Sequence, residues 1–259
     1  MKNILSLKDI HYSYHSAQGE TVALENISFS VKEGEFLAVV GPSGCGKSTL
    51  LSIIAGLIRP EAGTIIFDNP DGSLQYPRIG YMLQHDHLFE WRTVYQNVLL
   101  GLEINHMLTP ERLDYVDHLL TEYQLDQFRD KHPGELSGGM KQRAALIRTL
   151  ALSPQLLLLD EPFSALDYQT RLEVSADICR LIRNAGKTML IITHDLAEAI
   201  SLADRVIILS RRPAVVRQEI PIHLTFQDDT PLAARNAPEF QYYFNLLWKE
   251  LSDYDAREK

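Results

Sequence analysis

The sequence predicts an α/β fold with a mostly parallel sheet, an antiparallel strand-rich region at the N-terminus and an inserted helical subdomain. Three observations carry this. Strand-sized apolar runs alternate with helical stretches in two separate parts of the chain, which implies a parallel sheet with helices on both faces. Between them, from about residue 93 to residue 152, strand signals vanish and helical periodicity dominates. At the N-terminus, residues 4–10 and 27–31 alternate apolar and polar side chains, as half-buried strands do. The chain has 259 residues, a length that fits one core domain carrying an insertion.

The elements follow in order. Residues 36–40 are continuously apolar and end at Gly41, reading as a buried strand that runs into a glycine loop. Residues 48–57 are helical, with Gly56 and Pro60 marking the end. Short strands are expected at 63–68 and 78–83, separated by the turn-rich Asn69-Pro70-Asp71-Gly72. Helices are expected at 94–102, 111–123 and 140–152. Strands at 156–160, 188–193 and 205–209 then alternate with helices at 168–184 and 196–202. Past residue 211, Pro213, Pro221, Pro231 and Pro238 break the pattern until an amphipathic helix at 240–251. The expected organisation is a β region and first core half (1–92), a helical subdomain (93–152), a second core half (153–210) and a C-terminal tail (211–259).

The formal net charge of −9 argues against a nucleic-acid partner. Two cysteines, Cys45 and Cys179, cannot build a disulfide framework and suit a reduced, cytoplasmic setting. The N-terminus lacks a signal-peptide stretch, and the longest apolar runs are strand-sized. Membrane association is therefore expected to come through a partner.

Two segments carry phosphate chemistry. Gly41-Pro42-Ser43-Gly44-Cys45-Gly46-Lys47-Ser48-Thr49 is a Walker A loop between a predicted strand and a predicted helix. Its glycines let backbone N–H groups surround phosphate oxygens at a helix N-terminus. Lys47 would reach the β- and γ-phosphates and Ser48 would ligate Mg²⁺. The plain alternative is a glycine turn, which the strand–loop–helix context argues against. The second is Leu156–Asp160 followed by Glu161, an apolar strand ending in two carboxylates where parallel sheets bind ligands. Asp160 suits the Mg²⁺ shell and Glu161 suits polarising an attacking water. Cys45, beside Lys47 and a helix start, is expected to have a lowered pKa while acting as a packing residue. His85-Asp86-His87 offers three consecutive ligand types that diverge, which is unsuited to a metal.

A third segment, Leu136-Ser137-Gly138-Gly139-Met140-Lys141-Gln142-Arg143, could be a plain Ser/Gly helix cap. With the two phosphate motifs, however, the chain resembles the nucleotide-binding subunit of an ATP-binding cassette (ABC) transporter. Leu136 to Met140 matches that family's signature, with Met140 where glutamine is usual. The resemblance implies that Ser137, Gly138 and Gly139 contact an ATP held by the Walker A loop of a second chain. It also implies a Mg²⁺-contacting glutamine at Gln84, a D-loop at Ser164-Ala165-Leu166-Asp167 and a switch histidine at His194. An adenine-stacking aromatic is implied at Tyr14, with Tyr12 its rival.

Leu88 to Val98, containing Phe89, Trp91 and Asn97, resembles a pattern of the nitrate/sulfonate/taurine importer group, except that Glu90 replaces proline. That group also serves pyrimidine precursors of thiamine. Its implied partners are a second cassette, transmembrane permease subunits and indirectly an extracytoplasmic solute-binding protein. Phe89 and Trp91, placed beside polar residues, suit a groove that receives a helix of the membrane partner, and core packing within the helical subdomain is the alternative. The implied place is the cytoplasmic face of the membrane. A soluble ABC ATPase of repair or translation is the alternative, opposed by the acidic charge and the short stretch between Gln84 and Leu136. A non-hydrolysing cassette is opposed by the presence of Lys47, Glu161 and His194.

Overall fold

The computed structural model describes residues 2–17, 19–68, 78–84, 86–164, 166–225 and 231–257, with side chains described as far as residue 252. The turn expected at Asn69–Gly72, His85 and Ala165 of the expected D-loop lie outside the described residues.

The centre is a six-stranded sheet in the order β5 (Ile79–Met82), β6 (Leu156–Asp160), β7 (Thr188–Ile192), β3 (Phe36–Val40), β8 (Arg205–Leu209) and β9 (Val216–Pro221). The first five are parallel and β9 is antiparallel to β8. Every residue of β3, β6 and β7 is buried. Their side chains alternate between two apolar clusters, so Phe36, Ala38 and Val40 face one layer while Leu37 and Val39 face the other. Burial on both faces is why these strands read as unbroken apolar runs.

One face is covered by α4 (Gly138–Leu150), α5 (Tyr168–Asn184) and α6 (Leu196–Leu202). The same cluster continues into α2 (Val94–Ile104) and α3 (Pro110–Glu122) through Val98, Leu102, Val116 and Leu120. The other face carries α1 (Lys47–Ile54) and the antiparallel sheet β2-β1-β4, which is the strand-rich N-terminal region that the sequence predicts. Strands β1 (Asn3–Ser16) and β2 (Gly19–Lys32) have 14 residues each and, with β4 (Ala62–Phe67), bury Leu5, Ile10, Leu24 and Ile27 against α1.

β1 and β2 run well past the apolar alternation at 4–10 and 27–31. Pairing continues through Tyr14↔Thr21 and His15↔Glu20, held by ladder hydrogen bonds that a hydropathy pattern does not register. β9 and α7 (Pro231–Arg235) have no counterpart in the sequence expectation. β9 is an edge strand ending at Pro221, the position where a sheet tolerates proline. The C-terminal helix α8 runs Phe240–Arg257, longer than expected.

The loop before α2 is tied down by Asn97, which is fully buried. Its Nδ2 donates to the carbonyls of Phe89, Arg92 and Thr93 at 3.1, 3.2 and 3.0 Å, and its Oδ1 accepts from Phe89 N at 2.7 Å. Thr93 and Gln96 form a capping box at the helix start.

Candidate functional site

The C-terminal ends of adjacent parallel strands form the site, as expected for an open α/β sheet. β3 ends at Val40 and passes into the glycine loop, where Gly44 and Gly46 have φ of 74° and 122°. At Gly46 a Cβ would lie 2.9 Å from Leu24 Cδ2 and 3.2 Å from Ala23 O, so the loop is shaped by contact with β2 as well as by its own turn. Lys47 is buried, and its Nζ donates to Gly41 O at 2.8 Å and Pro42 O at 3.0 Å. The ammonium is thus held inside the curve of the loop. The first turn of α1 has no side-chain cap, which leaves its N–H groups to an anion.

β6 delivers the two carboxylates in different settings. Asp160 is buried and hydrogen-bonded to the Ser48 side chain; burial pushes its carboxyl above the ordinary range. Glu161 is held at φ 46°, with its N–H donating to Ile192 O at 2.9 Å. A non-glycine residue in this conformation carries strain that its surroundings must support. The turn aims Glu161 sideways, and its Oε2 receives Gln84 Nε2 at 3.2 Å and meets His194 Nδ1 at 3.1 Å. Gln84 follows β5 and His194 follows β7, the two neighbours of β6. Two sequence-predicted residues therefore converge on one carboxylate oxygen of a third.

A cavity of about 570 Å³ runs between the glycine loop and this trio, lined by Ser43, Lys47, Ser48, Thr49 and Glu161. Tyr14 is joined to it through a lining residue: Tyr14 is 44% exposed and its hydroxyl shares a 2.9 Å hydrogen bond with Thr49 Oγ1. Its rival Tyr12 packs against the core beneath the loop and meets Tyr14 edge-on at 5.1 Å. Arg212 also lines the cavity and donates from Nη2 to Gly44 O at 2.7 Å. Sequence reasoning missed it, although a basic pair directly after a buried strand at this sheet edge was a usable signal.

The signature residues are not brought into this cavity. Ser137 caps α4, accepting from Met140 N at 3.4 Å. A Cβ on Gly138 would lie 3.3 Å from Leu166 Cδ2, and one on Gly139 would lie 3.0 Å from Thr170 Cγ2. The glycine pair thus permits close packing of α4 on the D-loop and on α5. Met140 packs its thioether against the main core. Within the D-loop, Ser164 Oγ donates to Glu161 O at 3.0 Å and Asp167 caps α5 through Thr170 N at 3.1 Å. Arg171 links the D-loop to the histidine loop: Nη2 donates to Leu166 O at 3.0 Å and Nη1 reaches Asp195 Oδ2 at 3.4 Å.

Cys45 corrects the sequence expectation. Its thiol is pushed up, because burial beneath the loop outweighs the nearby Lys47 charge. At 1% exposure it is a packing residue with neither the access nor the thiolate character of a reactive cysteine.

Glu198, in α6 behind His194, is buried and its carboxyl is pushed up to about 7; burial is the main cause and a hydrogen bond from Thr193 opposes it. Its folded-state value lies above its ordinary 4.5, so its contribution to stability is full below pH 4.5 and is lost as pH rises through 7. Above that, the buried charge costs roughly 3 kcal/mol. Glu198→Gln is therefore expected to raise the melting temperature at pH 8 and to lose that advantage towards pH 5. Thermal melts at the two pH values check this, and a pH-independent difference between the proteins would refute the assignment.

Beyond the cavity, Phe89 and Trp91 stack at 4.7 Å on the surface, with Trp91 73% exposed. Among the described residues, no helix is long and apolar enough to cross a membrane.

A family model described as ABC transporter matches residues 24–164. The chain is 43% identical to the ABC transporter ATP-binding protein YtlC of Bacillus subtilis, itself uncharacterized, over 99% of both chains. It is 41% identical to the nitrate import ATP-binding protein NrtD of Synechocystis, covering 98% of this chain and 97% of that one. It is 37% identical to the taurine import ATP-binding protein TauB of Roseobacter denitrificans, over 94% of each. Among solved structures, it resembles the dimeric ATP-binding cassette MJ0796 in a post-hydrolysis state bound to ADP and Pi. That match has a TM-score of 0.72 at 31% identity, covering 85% of this chain and 99% of that one. With its phosphate loop, paired carboxylates and signature helix in one α/β frame, the chain belongs to the ABC transporter family, as an ATP-binding cassette whose hydrolysis of ATP is coupled to transport.

Proposed function

We propose that this cassette powers an importer for a small solute of the nitrate, sulfonate or taurine type, or a pyrimidine precursor of thiamine. The similarity to NrtD and TauB along nearly the whole chain supports the importer reading. The observation that carries the catalytic part is the convergence of Gln84 and His194 on Glu161 beside Lys47. Glu161 serves as the base that polarises the attacking water, and His194 and Gln84 position it against the γ-phosphate. Lys47 and the loop from Gly41 to Thr49 hold the phosphates, and Tyr14 stacks on the adenine.

The donor set fits Mg²⁺: the hydroxyl of Ser48 and the carboxylate of Asp160 already meet, and Gln84 stands within the same group of side chains. Mg²⁺ held there would neutralise the phosphate oxygens as charge develops.

Ser137, Gly138 and Gly139 lie outside their own chain's cavity, which supports their acting on the nucleotide of a second copy. The exposed Phe89–Trp91 stack, with the residue 93–152 subdomain behind it, is the surface offered to permease subunits at the cytoplasmic face of the membrane. Recognition of the solute then rests with the permease and an extracytoplasmic binding protein.

Growth of a deletion strain tests the reading. Loss of growth on taurine or alkyl sulfonates as sole sulfur, on nitrate as sole nitrogen, or on a thiamine pyrimidine precursor assigns the solute. Unchanged growth on all of them removes this solute class.

A further inference from the structure

We infer that the outer end of the antiparallel sheet is a binding site for a divalent transition metal of the zinc type, separate from the nucleotide cavity. Three strands bring the ligands together. His11 and His15 lie on β1, Glu20 on β2, and Glu61 immediately before β4. Glu61 N donates to His11 O at 2.9 Å, and His15 and Glu20 are register partners across the hairpin. One ligand atom from each of His11, Glu20 and Glu61 lies within 4.8 Å of the other two.

The two oxygens of Glu61 have different partners. Oε2 stands 3.9 Å from His11 Nε2, while Oε1 is held by His15 Nε2 at 2.7 Å. His15 is thus the positioning residue that turns Oε2 towards the other ligands, as hydrogen-bonded groups behind metal ligands commonly do. Ligand atoms around a tetrahedral zinc stand about 3.4 Å apart. The group therefore needs to close by at most about 1.4 Å from its 4.8 Å limit, which side-chain rotation supplies, because Glu20 is exposed and the other side chains are about one-third or more exposed.

The chemistry selects the ion. An imidazole with two carboxylates suits zinc, nickel or cobalt, whereas Mg²⁺ and Ca²⁺ prefer all-oxygen sets. The two carboxylates neutralise a dication, and a fourth position stays open for water. Binding would fasten the start of β4 to the hairpin end, bracketing the stretch of β1 that carries Tyr12 and Tyr14.

The test uses the untagged full chain with saturating Mg²⁺ and ADP, so that the nucleotide site is already filled. Zn²⁺ is titrated calorimetrically and Co²⁺ by visible absorption. One Zn²⁺ per chain is expected, with affinity weakened at least tenfold in His11→Ala, Glu20→Gln and Glu61→Gln, and about tenfold in His15→Ala. ATP hydrolysis without added zinc should be unchanged in all four, since none lines the nucleotide cavity. Absence of stoichiometric zinc binding overturns the inference. So does binding that is equal in wild type and variants.

Discussion

Glu161→Gln is expected to lower steady-state ATP hydrolysis by about 10²- to 10⁴-fold, the range associated with loss of a positioned general base, while leaving nucleotide affinity nearly unchanged. Glutamine has the same shape, so the turn at φ 46° and the Ile192 hydrogen bond survive. What disappears is the carboxylate oxygen that Gln84 and His194 now address. Lys47, Ser48 and the loop remain to bind ATP, so two chains that close around it would have no chemical route to reopen. The variant should elute as a stable dimer with ATP and Mg²⁺, and wild type should not. Phosphate release and size-exclusion chromatography measure the two halves. Turnover within tenfold of wild type would remove Glu161 as the base. A variant that stays monomeric at saturating ATP and Mg²⁺ would remove the closure cycle.

The parts of this site that could be read in advance share one property: their environment is dictated locally. Residues 36–40 and 156–159 are apolar throughout because both faces of the central strands are buried, so the strands are legible without knowing their neighbours. The glycine loop is legible because its backbone must turn between a strand and a helix. Strand order is a different matter. That β6 lies between β5 and β7 is what brings Gln84 and His194 to Glu161, and no periodicity encodes it. Family resemblance supplied those positions, and the sheet supplied the reason. Cys45 failed for the same cause in reverse. Lys47 and the helix start are local and visible, whereas the burial that overrides them comes from packing around the loop. Arg212 was overlooked because it lies past the last predicted core strand, in a segment whose prolines obscured β9.

Mixing two inactive variants should restore activity, and this is the sharpest expectation from the position of the signature. Lys47→Ala removes the buried ammonium that the loop carbonyls now hold, and its loss from both sites of a dimer should reduce hydrolysis at least 100-fold. Gly139→Asp acts at the other end. A Cβ there already meets Thr170 Cγ2 at 3.0 Å, so α4 must retreat from α5, and a carboxylate would stand beside the anion that Ser137 and Gly138 are proposed to contact. Each variant alone should be inactive. In a two-fold dimer whose sites are shared between chains, however, the mixed species has one intact site. Its loop comes from the Gly139→Asp chain and its signature from the Lys47→Ala chain. Random pairing then places about a quarter of the wild-type sites in working order. If each site were built from one chain, both kinds of site in the mixed dimer would stay broken and the mixture would be as dead as its components. The structure favours recovery, because the lysine proposed to hold the phosphate and the glycine pair proposed to meet it do not share a cavity within one chain.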